Sequence, residues 1–224
     1  MVEKEMMTTY PKINSIYKRH SETNKLRMGE YAQQVYRYLE DNDWIAYEKI
    51  DGMNVRCHWD GSTIKFAGRT DNAQIPAPLL VRLLEIFTAE KLTFVFGSDP
   101  IDVTIFGEGF GGNIQNPVGK RYNPDGKFDF IMFDVRIGDW WIRYSDMMEF
   151  ADSLETKLVP IIAVKSLREQ IESIKYGVYS KVAEDKAFYA EGIVCRPLYD
   201  ILTRNGQRVI TKIKYKDFQN MGME

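Results

Sequence analysis

This sequence predicts an α+β fold, antiparallel β-sheets with flanking helices, and three observations carry that prediction. Strand-like runs separated by Asp-Gly turns crowd between residues 44 and 68, the pattern of consecutive hairpins. Helical spacing falls in blocks of its own, around Glu30–Glu40, at 78–90 and again from Asp146. Strands and helices do not alternate regularly, which argues against a doubly wound parallel sheet.

The elements follow in order. Up to about residue 43, turn residues are mixed with one amphipathic helix around Glu30–Glu40. Three strands come next, WIAYEKI, NVRCHW and TIKFAG, separated by Asp51-Gly52 and Asp60-Gly61. From Pro78 to Glu90, apolar residues at Leu79, Leu80, Leu83, Leu84 and Phe87 have the spacing of a helix packed on a sheet. Strands are expected at Phe94–Phe96, Val103–Phe106 and Phe128–Val135, with a turn at Gly138-Asp139 leading into WWIRY. Asp146 with Glu149 opens one helix, and Ser166 with Glu169 opens another as a capping box. The chain then returns to strand in GIVCRP and RVITKIKY.

Composition narrows the function classes. With 224 residues, 44% of them hydrophobic, the chain can bury one substantial core, or a core with a small appendage. Lys+Arg number 30 against Asp+Glu 32, a net charge of -2, so no strong overall field draws it to nucleic acid. Any such site rests on local clustering of cations, with Arg56, Lys65, Lys120, Arg121, Arg204 and Arg208 as candidates. Cys57 and Cys195 lack paired spacing and fall in apolar runs, which predicts buried free thiols. With His20 and His58 they form no zinc spacing. The opening MVEKEMMTTY has no apolar signal region, and LLVRLLEIF is broken by Arg82 and Glu85 and is too short for a membrane span. A soluble, cytoplasmic protein without membrane association is expected.

Chemistry enters at Lys49-Ile50-Asp51-Gly52, where the strand Trp44–Ile50 delivers a lysine to a tight turn. A lysine there can act as a nucleophile that captures a nucleotide on its side-chain nitrogen. By itself the tetrapeptide also reads as a surface hairpin. Five later segments carry the other residue types that such a capture needs. FAGRT ends a strand on Arg69, and IFGEGFGG sets Glu108 among glycines whose backbone can come close to a ligand. FIMFDVR is an apolar strand ending in Phe133-Asp134, and AEGIVCRP sets Glu191 just before a strand. In ITKIKYKDF, period-2 alternation puts Lys212 and Lys214 on one face and Ile213 and Tyr215 on the other. Singly, each has an ordinary structural reading: strand-end carboxylate, surface cation, core aromatic or edge-strand lysine. The glycine run is not a Walker loop, since it lacks G-x-x-x-x-G-K-[ST].

In that order the six segments resemble motifs I, Ia, III, IIIa, IV and V of the covalent nucleotidyltransferase superfamily of ATP-dependent RNA ligases, DNA ligases and mRNA capping enzymes. The resemblance covers about residues 44–218. Met53-Asn54 after the motif I glycine, Arg69-Thr70, Phe133-Asp134 and Lys212-x-Lys214 are similar to the RNA ligase 2 type of phage and editing-complex ligases. The N-terminal YPKI at Tyr10–Ile13 resembles the opening of small phage RNA ligases. Asp51 stands where the best-known RNA ligases of this type have His, and it matches DNA ligases instead.

The resemblance implies an ATP-grasp-like nucleotidyltransferase domain. Its expected extent is a single adenylyltransferase domain over 1–224, with 1–43 packed on it and no C-terminal OB or helical domain. It implies an ATP-dependent polynucleotide ligase, chiefly for RNA, joining 3′-OH and 5′-phosphate ends through a lysyl-AMP and an adenylylated 5′ end. A minimal ATP-dependent DNA ligase and an inactive nucleic-acid-binding relative are the alternatives. Lys49 is then the nucleophile. Lys212 and Lys214 would hold the α-phosphate, with Arg69, Asn54 and Asp51 near the phosphate and the incoming ends. Glu48, Glu108, Phe133 and Glu191 would join the three lysines in binding ATP or AMP. Phe133 would stack on adenine, Glu108 would take the ribose hydroxyls, and Asp134 and Glu191 would hold Mg²⁺ or Mn²⁺. The expected partners are RNA ends, including nicked duplexes and RNA/DNA hybrids, met by a monomer in the cytoplasm, that of the host if a phage encodes it.

Overall fold

The structure, a computed structural model, describes residues 7–99 and 101–219. The N-terminal half begins β1 (Asn14–Ser15), β2 (Tyr17–Arg19), β3 (Leu26–Tyr31), α1 (Gln34–Tyr38), β4 (Asp43–Lys49), β5 (Met53–Trp59) and β6 (Ile64–Ala67). It continues through α2 (Ala77–Ile86), α3 (Ala89–Phe96), β7 (Val103–Gly111), α4 (Gly119–Tyr122), β8 (Phe128–Ile137) and β9 (Trp140–Trp141). Then come α5 (Tyr144–Ser153), β10 (Lys157–Leu158), β11 (Ile161–Ser166), α6 (Leu167–Lys175), β12 (Gly192–Pro197), β13 (Thr211–Lys214) and α7 (Lys216–Gln219). The α+β class predicted from the sequence is the class observed. Two compact units share the chain. Unit 1 takes residues 7–11 and 51–159, and unit 2 takes 12–50 and 160–219. The N-terminal stretch is thus divided, its first described residues belonging to unit 1.

In unit 1 the strand order is β10-β8-β7-β5-β6, with β9 beside β8. All neighbours are antiparallel except β10, which runs parallel to β8. Alternation makes the sheet two-faced. One face carries Val55, Cys57, Trp59, Val103, Ile105, Phe130, Met132 and Val135, which pack with Leu79 and Leu83 of α2, Leu92 of α3 and Met147 of α5. The other face carries Asn54, Arg56 and His58 of β5 opposite Glu108, Phe106 and Thr104 of β7.

Two expectations fail here. Phe94–Phe96 is helical, the end of α3, not a strand. The helical run expected over Pro78–Glu90 breaks at Phe87, and Thr88 starts a new helix by accepting the Lys91 N–H at 3.2 Å. Leu92, Val95 and Phe96 then meet the core at helical spacing, so capping and tertiary burial override the strand propensity of TFVF.

Unit 2 is built on a sheet of order β1-β13-β12-β4-β11, in which β12 runs antiparallel to both β4 and β13. Its buried face joins Trp44, Ala46, Ile193, Cys195 and Ile213 to Leu167, Ile171 and Ile174 of α6. The predicted capping box closes α6, with Ser166 Oγ accepting the Glu169 N–H and Glu169 returning to the Ser166 N–H. Both cysteines are buried free thiols, as expected, and burial pushes both pKa values up. Among the described residues no helix is long and apolar enough to cross a membrane.

Candidate active site

Lys49 ends β4 in unit 2, where pairing decides its company. Gly192 of β12 lies opposite Lys49 on one side and Lys214 of β13 on the other. Residues paired directly across strands share a face, so Lys49, Lys214 and Lys212 look the same way, with Tyr47 and Val194 among them. A Cβ at Gly192 would lie 2.8 Å from the Lys214 Cα and overlap the Ile213 carbonyl, so the close β12–β13 approach demands glycine. Glu191, one residue earlier, reaches both cations. One carboxylate oxygen pairs with Lys49 Nζ and the other lies 2.5 Å from Lys214 Nζ. The carboxylate is one-tenth exposed, and the two ammonium groups are about a fifth exposed. Burial alone would raise the Glu191 carboxyl pKa. The Lys49 charge and the hydrogen bonds from Lys214 and Lys49 outweigh it and hold the carboxyl below its ordinary range. Glu191 is therefore a charge partner, ionised at neutral pH, and a poor proton acceptor.

Glu48 points the other way, into the buried face with Trp44 and Ala46. It accepts from the Ser180 hydroxyl and, at 2.8 Å, from the Lys181 N–H. Burial raises its pKa despite these donors. Its observed partners hold the 180–183 turn, in which Ser180 Oγ also accepts from the Val182 and Ala183 N–H groups. No sequence motif marked Ser180.

The remaining candidates belong to unit 1. Asp51 and Gly52 lead into β5. The hairpin expected at this turn does not form, because β4 pairs with β11 and β12 whereas β5 pairs with β6 and β7. The Asp51 N–H donates to the Tyr122 hydroxyl at 3.0 Å, and a Cβ on Gly52 would crowd Glu108 Cγ at 2.8 Å. Asn54 and Glu108 pair directly across β5 and β7, and Phe106 pairs with Asp134. The register slips between Phe106 and Gly107, whose partners are Asp134 and Met132, so Phe133 is the extra residue of a β-bulge. Bulges re-aim a side chain, and Phe133 stays only partly buried while Asp134 is fully buried. Tyr10 covers both. Its ring stands edge-on to Phe133 at 5.1 Å, and its hydroxyl donates to Asp134 Oδ2 at 2.8 Å. In the sequence Tyr10 stands out only as part of YPKI.

Two further sequence expectations are corrected in this unit. The glycines around Glu108 do not open backbone to a ligand. A Cβ at Gly107 would lie 2.5 Å from the Ile131 carbonyl and strike the Phe130 ring, and one at Gly109 would strike Leu79. They are filled by the protein's own close packing. Arg56, expected on a basic nucleic-acid surface, is fully buried, and its partners Met7, Thr8, Gly68 and Asp71 all belong to unit 1. Lys65, Lys120, Arg121 and Arg204 are exposed, and so is Arg69 at the end of β6.

No three His, Cys, Asp or Glu side chains converge to hold a metal among the described residues. A magnesium-like ion keeps several waters and needs only one or two carboxylates plus phosphate oxygens. Glu191 supplies a carboxylate, but each of its oxygens is paired with a lysine, so a cation there would have to displace or share the Lys49 or Lys214 ammonium. Asp134 would first have to give up the Tyr10 hydroxyl.

The family model described as RNA ligase matches residues 42–214. A Naegleria gruberi RNA ligase, in a lysine-to-methionine mutant with AMP and Mn, superimposes with a TM-score of 0.64 at 17% identity, covering 96% of this chain and 60% of that one. The same ligase with PPi gives 0.63 at 18% identity, covering 95% and 64%. A lysine-to-alanine mutant with ATP and Mn gives 0.64 at 17%, covering 96% and 60%. The chain thus spans roughly three-fifths of the length of these ligases and shares their fold. The six ordered segments, the paired strands that gather Lys49, Glu191 and Lys214, and the match over residues 42–214 lead to one conclusion: the chain belongs to the RNA ligase family.

Proposed function

We propose that this protein is an ATP-dependent RNA ligase that joins 3′-OH and 5′-phosphate ends through a lysyl-AMP and an adenylylated 5′ end. The observation that carries it is the Lys49–Glu191–Lys214 centre, a lysine at a strand end held by one carboxylate beside a second lysine on the neighbouring strand pair. Family membership supports it, as do the solved Naegleria gruberi ligase structures with ATP, AMP or PPi.

In the first step Lys49 gives its proton to solvent, the neutral amine attacks the α-phosphorus of ATP, and the bond to pyrophosphate breaks as pyrophosphate leaves. Glu191 orients Lys49 until attack, and Lys214 with Lys212 neutralises charge building on the α-phosphate oxygens, the larger part of catalysis in such transfers. A divalent cation beside Glu191, Mg²⁺ or Mn²⁺, would add positive potential favouring the neutral amine. Phe133 stacks on adenine and Glu108 takes the ribose hydroxyls. Asn54 and Arg69 meet the polynucleotide end, whose 5′-phosphate receives AMP before the 3′-OH expels it. Met53-Asn54 and Arg69-Thr70 favour the RNA ligase 2 pattern, while Asp51 favours a DNA ligase as second reading.

Intact-mass spectrometry after incubation with ATP and Mg²⁺ tests the proposal, on protein first stripped with pyrophosphate. A gain of one AMP in wild type and none in Lys49→Ala is expected. No gain in wild type removes the ligase reading. Sealing of nicks with RNA or DNA at the 3′-OH side then separates the two ligase readings.

A further inference from the structure

Among the described residues Arg56 is the one fully buried arginine, and its guanidinium ties together two segments far apart in sequence. Nε donates to the Gly68 carbonyl at 2.7 Å, and Nη2 pairs with Asp71 Oδ1 at 2.7 Å. Nη1 donates to the carbonyls of Met7 at 2.9 Å and Thr8 at 3.2 Å. Arg136 adds a bond to Thr8 Oγ1 at 3.1 Å, and Tyr10 continues the segment to Asp134. The Gly68–Asp71 turn carries Arg69 and Thr70 between the two points that Arg56 grips. It is closed further by the Ala73 N–H donating to the Thr70 carbonyl at 3.1 Å. Arg69 itself is exposed and makes no ion pair among the described residues. An arginine side chain has a large rotamer entropy, so a free cation is precise only when its backbone is held.

We infer that Arg56 is a positioning residue. It clamps the N-terminal segment and the Gly68–Asp71 turn into one block, so that Arg69 is presented in a fixed geometry to the phosphate of a polynucleotide end. The inference rests on the ligase reading above, in which Arg69 meets that end. Arg56 therefore acts in AMP transfer and sealing and leaves lysine adenylylation alone. A planar fork with five donors can hold all four partners at once. A lysine ammonium, with three donors on a flexible stem, cannot.

The test compares wild type, Arg56→Lys, Asp71→Asn, Arg69→Ala and the Arg56→Lys/Arg69→Ala double variant. AMP uptake is read by intact mass, single-turnover sealing is read on a nicked duplex with a 5′-phosphorylated RNA strand, and amide exchange is read over residues 68–73. Arg56→Lys is expected to take AMP within about twofold of the wild-type rate, seal at least tenfold more slowly and exchange faster at 68–73. The double variant should seal no more slowly than Arg69→Ala, since two residues that act through one contact are not additive. Asp71→Asn, which loosens one grip only, should fall between and decides the matter if Arg56→Lys does not fold. Equal losses of uptake and sealing, additive losses in the double variant, or wild-type sealing overturns the inference. A wild type that takes no AMP removes the ligase reading, and the exchange data still decide whether Arg56 holds the turn.

Discussion

Replacing Glu191 by glutamine leaves shape nearly unchanged and removes the charge that holds two lysines. The carboxylate is one-tenth exposed, and its partners are about four-fifths buried. A hydrogen bond to a charged group contributes about 1.5–3 kcal/mol. Stranding a buried charge by deleting its partner costs about 3–5 kcal/mol. Here the residual exposure of both lysines softens the loss, and glutamine still accepts one hydrogen bond, so about 2–4 kcal/mol is expected. For a chain of this size that is about 4–16 °C in Tm. The acid limb carries a sharper signature. The folded Glu191 pKa lies below the unfolded value of about 4.3, so on acidification the unfolded chain takes the proton first. Its contribution is complete above the unfolded value and is lost as pH falls through the lower folded one. Urea or thermal unfolding of both proteins from pH 7 to pH 3 reads this directly. The stability gap should be full near neutrality and narrow below about pH 4. A gap that is absent at pH 7, or unchanged at pH 3, would refute the charge-partner account of Glu191.

Other perturbations test neighbouring parts of the argument. Gly192→Ala drives a methyl into the β13 backbone and should cost about 1–3 kcal/mol or more, with AMP uptake falling alongside as Lys49 and Lys214 lose register. Tyr10→Phe removes a hydrogen bond to a fully buried carboxylate. It should lower stability by about 1.5–3 kcal/mol, read by denaturant titration against the structurally silent Tyr199→Phe on an exposed side chain. Thr88→Ala removes the α3 cap and should cost about 1 kcal/mol. Phe133→Ala should weaken ATP binding by about 1–3 kcal/mol if it stacks on adenine, measured as the ATP dependence of AMP uptake.

Strand alternation was legible at residue level because it is local. Lys212 and Lys214 share a face, as the spacing required, and Glu48 and Lys49 face opposite ways for the same reason. The Ser166 capping box was equally readable, since all its partners lie within one turn. The α3 helix was missed because TFVF has strand propensity, and only the cap at Thr88 with the burial of Leu92 decides otherwise.

The sequence by itself determined the α+β class, the two-faced strands, the buried thiols and the order of segments by which the RNA ligase family is recognised. Those are properties of short windows and of composition. Tertiary structure alone decided that Glu191 meets Lys49 across 142 positions, that Ser180 answers Glu48, and that Tyr10 covers Asp134. It also turned Arg56 from a presumed surface cation into a buried clamp, and the Gly107 and Gly109 backbone from a presumed ligand approach into packing space. The physical reason is common to all of these. A strand's own period tells which face a residue takes, but what covers that face is set by long-range pairing, and no local signal encodes it.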